Sequence, residues 1–87
     1  MKSYTVVYML FFDYDIESFI PCEICGIRAV DIHHILARSQ HKKLLKDINN
    51  LMALCRSCHE KYGDKKEFFE YLQRIHKEFM DFHKMMM

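Results

Sequence analysis

The chain has no tryptophan, one proline and two glycines among its 87 residues. So few breakers argue against linkers and low-complexity tracts, and the length suits one domain. Charge of a single sign is also missing. Thirteen Lys and Arg stand against 12 Asp and Glu, a net charge of +1 with the six histidines neutral. Global charge therefore does not draw this chain to nucleic acid, and any basic surface must be local. Long hydrophobic runs are absent too. The longest, Val6 to Phe12, falls far short of the roughly 20 residues that span a bilayer. Lys2 before that run faintly resembles a secretory leader, but Asp13, Asp15 and Glu17 stand where a small-residue cleavage site would be. The expectation is a mature chain from Met1 that is cytoplasmic and makes no membrane contact. In a reducing compartment, close cysteine pairs favour a metal over disulfides.

What is present is 51% apolar composition, which excludes a disordered polymer. A chain this short buries a modest core and calls for a staple. Tyr4 to Phe12 (YTVVYMLFF) is β-branched and aromatic and reads as a buried strand. Ile16 to Ile20 fits a helical turn ended by Pro21. Ile27 to Ile35 reads as a second strand. Ala37 to Asn49 reads as a loop with some helical content, and Asn50 to Leu54 as a further short strand. Cys55 to His59 should open a helix that Gly63 interrupts. Asp64 then caps a long helix over 64–84, with Glu67 as its capping-box partner. Phe68, Leu72, Ile75, Phe79, Phe82 and Met86 form one apolar seam along it. That seam should pack over the Tyr4–Phe12 strand, the alternative being a homodimer.

The staple is legible. Cys22 and Cys25 form one CxxC pair, Cys55 and Cys58 the other. Four thiolates satisfy tetrahedral zinc and leave no open position, so such a site is structural rather than catalytic. Its binding free energy, on the order of 10 kcal/mol in small zinc modules, is also folding free energy. Two disulfides in a secreted protein are the competing reading.

His33-His34, Asn50 and His59 lie between and beside the cysteine pairs. Together, CEICG, AVDIHHI and NNLMALCRSCHEKYG resemble the HNH endonuclease family over residues 21–63. The resemblance implies an α+β domain over 1–87: a small ββα-metal core with a structural four-cysteine zinc, an N-terminal strand and a long C-terminal helix. It implies hydrolysis of DNA phosphodiester bonds with weak sequence preference. His34 is then the general base, and His33 and His59 ligate a catalytic divalent metal (Mg, Mn, Ni, Co or Zn). Asn50 holds the loop between the strands. The chemistry suits these residues, because an imidazole with an unperturbed pKa of about 6.5 can take a proton from water at neutral pH. A cation with open positions stabilises charge on the phosphate. Adjacent strand residues face opposite ways, so His33 and His34 reach one phosphate only if the strand ends or bends there.

Asp31, two residues before His33, is a candidate to orient a ligand from behind, or simply an exposed strand carboxylate. Arg38 and Arg56 are candidate phosphate contacts among basic residues that otherwise form a solvated face. His41, His76 and His83 read as ordinary surface or core histidines. The family resemblance places the chain nearest small phage or prophage members, with DNA as partner and a larger phage machine as a further one. The reading from another class is a non-catalytic zinc module that binds nucleic acid or protein.

Overall fold

The computed structural model describes residues 1–85. Along the chain come α1 (Ser3–Phe11), β1 (Asp31–His34), β2 (Leu51–Leu54), α2 (Arg56–Tyr62) and α3 (Phe69–Met85), with short 3-10 turns at Lys42–Leu44, Ile48–Asn50 and Lys66–Phe68. β1 and β2 form an antiparallel pair in which Asp31 faces Leu54, His33 faces Met52 and His34 faces Leu51. Every residue of β2 is buried. Leu51 and Ala53 pack into a cluster with Tyr8 and Phe12, while Met52 and Leu54 pack into another with Ile35 and Leu72. The alternation of a strand thus serves two cores, with α1 on one side of β2, the first turns of α3 on the other, and Phe79 farther along α3 reaching the α1 side. Among the described residues no helix is long and apolar enough to cross a membrane.

The N-terminal segment is a helix, not the expected strand. Its residues favour strands locally, but propensity differences between ordinary residues stay below about 1 kcal/mol each. Helical spacing aligns Tyr4, Tyr8 and Phe12 on one face toward β2, and burying such side chains is worth about 1.5–3 kcal/mol apiece. The helix also satisfies its own backbone, whereas a third strand would need a partner edge. It ends in a Schellman arrangement: Tyr14 N–H donates to the Met9 carbonyl at 2.8 Å and Asp13 N–H to that of Leu10 at 3.3 Å. Asp13 takes the left-handed position, with φ of 59°.

Two other expected elements are shorter than anticipated. Within 27–35 the ladder with β2 covers Asp31–His34, with one further bond from Val30 N–H to the Leu54 carbonyl at 3.0 Å, because the preceding residues turn back on the first knuckle. Arg28 bridges Pro21, and Cys22 N–H donates to the Ile27 carbonyl at 2.6 Å. Asp64 does not cap the last helix. It sits at φ of 58°, the following 3-10 turn has no side-chain cap, and α3 begins at Phe69. The seam expected on that helix is real. Phe68, Leu72 and Ile75 pack into one cluster and Phe79 into the other, where its ring lies 5.3 Å from that of Phe12. The chain itself covers the seam as far as Phe79, which removes the reason for expecting a second copy there. Phe82 is exposed, and Met86 lies outside the described residues.

A buried polar node ties these elements together. Glu23, inside the first knuckle, accepts from the Tyr8 hydroxyl at 2.5 Å, from Ala53 N–H at 3.1 Å, and bonds His76 Nδ1 at 2.7 Å. His76 reaches the Ile48 carbonyl through Nε2 at 2.6 Å. One carboxylate therefore joins α1, β2, α3 and the knuckle, with both of its oxygens hydrogen-bonded. Burial, then the Glu23 charge, pushes the Tyr8 phenol upward, so it stays a donor. Replacing His76 by Ala should cost about 3–5 kcal/mol, because it strands a buried carboxylate. Chemical denaturation checks this, with Lys77→Ala, which breaks the exposed pair to Asp81, as a control of little effect.

Candidate functional site

The two knuckles bring Cys22, Cys25, Cys55 and Cys58 together, their sulfurs within 4.8 Å of one another. All four are free thiols. Cys25 Sγ and Cys55 Sγ lie 3.6 Å apart, far beyond a disulfide bond of about 2.05 Å. Tetrahedral zinc with arms of about 2.3 Å would set sulfurs about 3.8 Å apart. Local turns build the cluster. Gly26, at φ of 85°, lets the first knuckle fold back, and Gly26 N–H donates to the Cys22 carbonyl at 2.9 Å. Cys55 caps α2 with its sulfur, accepting from Cys58 N–H at 3.4 Å. Burial and the neighbouring thiols push Cys58 upward. Burial also opposes ionisation of Cys22, but backbone N–H donors outweigh it and hold that thiol down at about 7. Four crowded sulfurs of this kind need a cation before all can ionise, and the donor set fits zinc.

His59 follows Cys58 directly, so the same knuckle sets its position on α2. Its ring centroid lies 4.7 Å from that of His33. Asp31 holds it from behind, 3.1 Å from Nδ1, which leaves Nε2 as the free nitrogen. His33 is 5% exposed, and its Nε2 is buried without a hydrogen-bond partner. Burial, then the adjacent His59 ring, pushes His33 down to about 4, so it is neutral at pH 7 with a lone pair available. Asp64 joins them: His33, His59 and Asp64 each offer a ligand atom within 4.8 Å of the others. Two imidazoles and a carboxylate around an unpartnered buried nitrogen fit a divalent cation.

His34 lies beside this group. β1 ends at His34, and as an edge strand it lets both of its faces border one cleft of about 370 Å³. His34 Nε2 meets the Leu45 carbonyl at 3.0 Å. A carbonyl only accepts, so Nε2 carries the proton and Nδ1 of the neutral ring is the basic nitrogen. Asn50 is buried and grips Leu36 twice: Oδ1 accepts from Leu36 N–H at 2.8 Å, and Nδ2 donates to its carbonyl at 3.0 Å. That double bond pins the chain where it leaves β1.

A family model described as HNH endonuclease matches residues 22–65, half of the chain. The chain belongs to the HNH endonuclease family. It is also similar to a protein of Sarcophyton glaucum named "Mitochondrial DNA mismatch repair protein mutS homolog", with 47% identity over 51 residues. That stretch covers 53% of this chain and 5% of the relative's length. No solved structure matches.

In this HNH domain the cleft gathers most of the candidate residues and leaves one out. Asp31, His33, His34, Arg38 and His59 line it, and Asn50 stands behind it. Arg56 is exposed on the first turn of α2 and is not among the lining residues. Sequence reasoning missed Asp64, Lys2 and Tyr4, which also line the cleft. Asp64 had a competing explanation as a helix cap. Its signal was its place just past Gly63, the residue that ends the helix carrying His59. Lys2 and Tyr4 were hidden by reading their segment as a strand.

Metal analysis of the purified chain should find one zinc held by the cysteines. Cys58→Ser should lower zinc affinity by more than about tenfold and cost folded structure, read by circular dichroism with and without chelator.

Proposed function

We propose that this chain is a metal-dependent endonuclease that hydrolyses DNA phosphodiester bonds, with His34 as the general base. One observation carries the reading. A buried, neutral, unpartnered His33 sits with His59 and Asp64, next to a histidine whose tautomer leaves Nδ1 basic, all on one open cleft. A non-catalytic zinc module has no need of that second group. Family membership supports nuclease chemistry, and the relative's printed name supports DNA as its setting.

In this mechanism His34 Nδ1 takes the proton of the attacking water, while the Leu45 carbonyl holds its tautomer. Asn50 fixes the backbone leaving His34 so that the ring meets the phosphate in one pose. His33, His59 and Asp64 would hold the cation, which when bound supplies Lewis-acid stabilisation of charge on the phosphate and the departing oxygen. Asp31 keeps His59 Nε2 free for it. Two nitrogens and one oxygen favour Mn²⁺, Co²⁺, Ni²⁺ or Zn²⁺ intrinsically, and Mg²⁺ serves when substrate phosphate adds oxygen donors. Arg38, on the rim, is the candidate phosphate contact. Phosphate contacts of this kind position a strand without reading its bases, which suits nicking with weak sequence preference.

The test is plasmid nicking with Mn²⁺ or Mg²⁺. His34→Ala should lower the rate by about 10²- to 10⁴-fold. Equal rates for variant and wild type would remove the mechanism.

Gly63→Ala probes the second cation group separately. A Cβ there would overlap Cδ2 and the carbonyl oxygen of His59. Mn²⁺ affinity should fall by about tenfold or more while the cysteine-bound zinc is retained, as titration calorimetry would show. A wild-type chain that binds zinc but no second divalent ion would point to the binding-module reading.

A further inference from the structure

One wall of the cleft comes from outside the HNH segment. α1 (Ser3–Phe11) precedes the matched residues 22–65, yet Tyr4 and Lys2 border the same cleft as His33 and His59. Tyr4 is half-buried and meets His34 edge to face, with ring centroids 4.5 Å apart and planes at 72°. Its hydroxyl accepts a hydrogen bond from Arg38 Nη1 at 3.4 Å. The Arg38 guanidinium and the Lys2 ammonium stand 5.9 and 5.7 Å from the tyrosine ring centroid.

We propose that Tyr4 is a positioning residue of the nuclease site, locking the His34 ring and holding Arg38 and Lys2 as a two-cation grip on nucleic-acid backbone phosphates. This rests on the nuclease reading above. The hydrogen bond from His34 Nε2 fixes one point of the imidazole but not the plane of the ring. A perpendicular aromatic contact fixes that plane, and with it the direction of Nδ1. The same tyrosine attracts cations to its face and accepts from Arg38, so it sets the spacing between base and cations. The cations also have an electrostatic task. Asp31 and Asp64 border the cleft and repel a polyanion, and Lys2 and Arg38 offset them at the rim. Such a grip positions the strand without reading its sequence.

The experiment uses the full, zinc-loaded chain. Nicking kinetics with Mn²⁺ compare Tyr4→Phe, Tyr4→Ala and wild type. Duplex binding against salt is measured in a His34→Ala background, with and without the pair Lys2→Ala and Arg38→Ala. Tyr4→Ala should lower kcat by about tenfold or more, with Mn²⁺ affinity unchanged. Tyr4→Phe keeps the ring and loses the hydroxyl, so it should chiefly raise KM, by about threefold. The paired cation variant should flatten the slope of log K against log salt by about 2, near 0.9 for each lost phosphate contact. Wild-type kcat in a folded Tyr4→Ala, or an unchanged salt slope, overturns the proposal. If Tyr4→Ala does not fold, an unchanged KM in Tyr4→Phe overturns it. If the folded, zinc-loaded wild type fails to cut with every divalent metal supplied, the nuclease reading fails and so does the positioning role of Tyr4. The salt slope then still decides whether the phosphate grip exists.

Discussion

The four-cysteine cluster is the constraint on which the rest of this small domain depends. It joins a knuckle before β1 to a knuckle that opens α2, segments 30 residues apart at the Cys25–Cys55 contact. Because His59 follows Cys58, the clamp that closes the fold also sets one wall of the cleft. β1 pairs with β2, which runs directly into Cys55, so His33 is placed against His59 through the same short path. Much of the site is placed by this short path: Asp31, His33 and His34 lie on β1, Asn50 directly precedes β2 and His59 directly follows Cys58, while Asp64, Arg38 and Tyr4 reach the cleft from farther along the chain.

The knuckle does not act alone. Glu23 lies between Cys22 and Cys25 and is bonded to Tyr8, Ala53 and His76. The segments outside the HNH match are thereby anchored to the same loop that carries two of the cysteines. Burying a carboxylate is costly unless its oxygens are hydrogen-bonded, and here both are. The expected gain is specificity: α1 and α3 have one register against the core in which Tyr8 and His76 both reach Glu23. That register carries Tyr4, one helical turn before Tyr8, to the edge of His34.

Much of the central motif was legible because its chemistry is local in sequence. CxxC pairs, adjacent histidines and a histidine directly after a cysteine keep their meaning whatever surrounds them. The four-cysteine cluster and the β1–β2 pair stand where the motif implied. The N-terminal segment was misread because a run of aromatic and β-branched residues says only that one face is buried. Its true period, Tyr4-Tyr8-Phe12, shows once β2 is known to offer a face rather than an edge. Glu23 and His76 lie 53 residues apart, and nothing local announces their bond. Asp64 was masked by a plausible capping pattern, which the left-handed backbone at that residue rules out.

A net charge of only +1 raises the question of how a chain proposed to cut DNA would hold a polyanion. On the proposed reading the answer is local. Among the charged cleft residues, Asp31 and Asp64 oppose Lys2 and Arg38, so without a cation the cleft is near neutral and offers DNA little attraction. A divalent ion held by His33, His59 and Asp64 would add two positive charges to that cleft. By reciprocity of linked binding, substrate phosphate must then tighten the ion as much as the ion tightens the substrate. The low net charge and the paired carboxylates belong to one arrangement, in which grip and chemistry are loaded together.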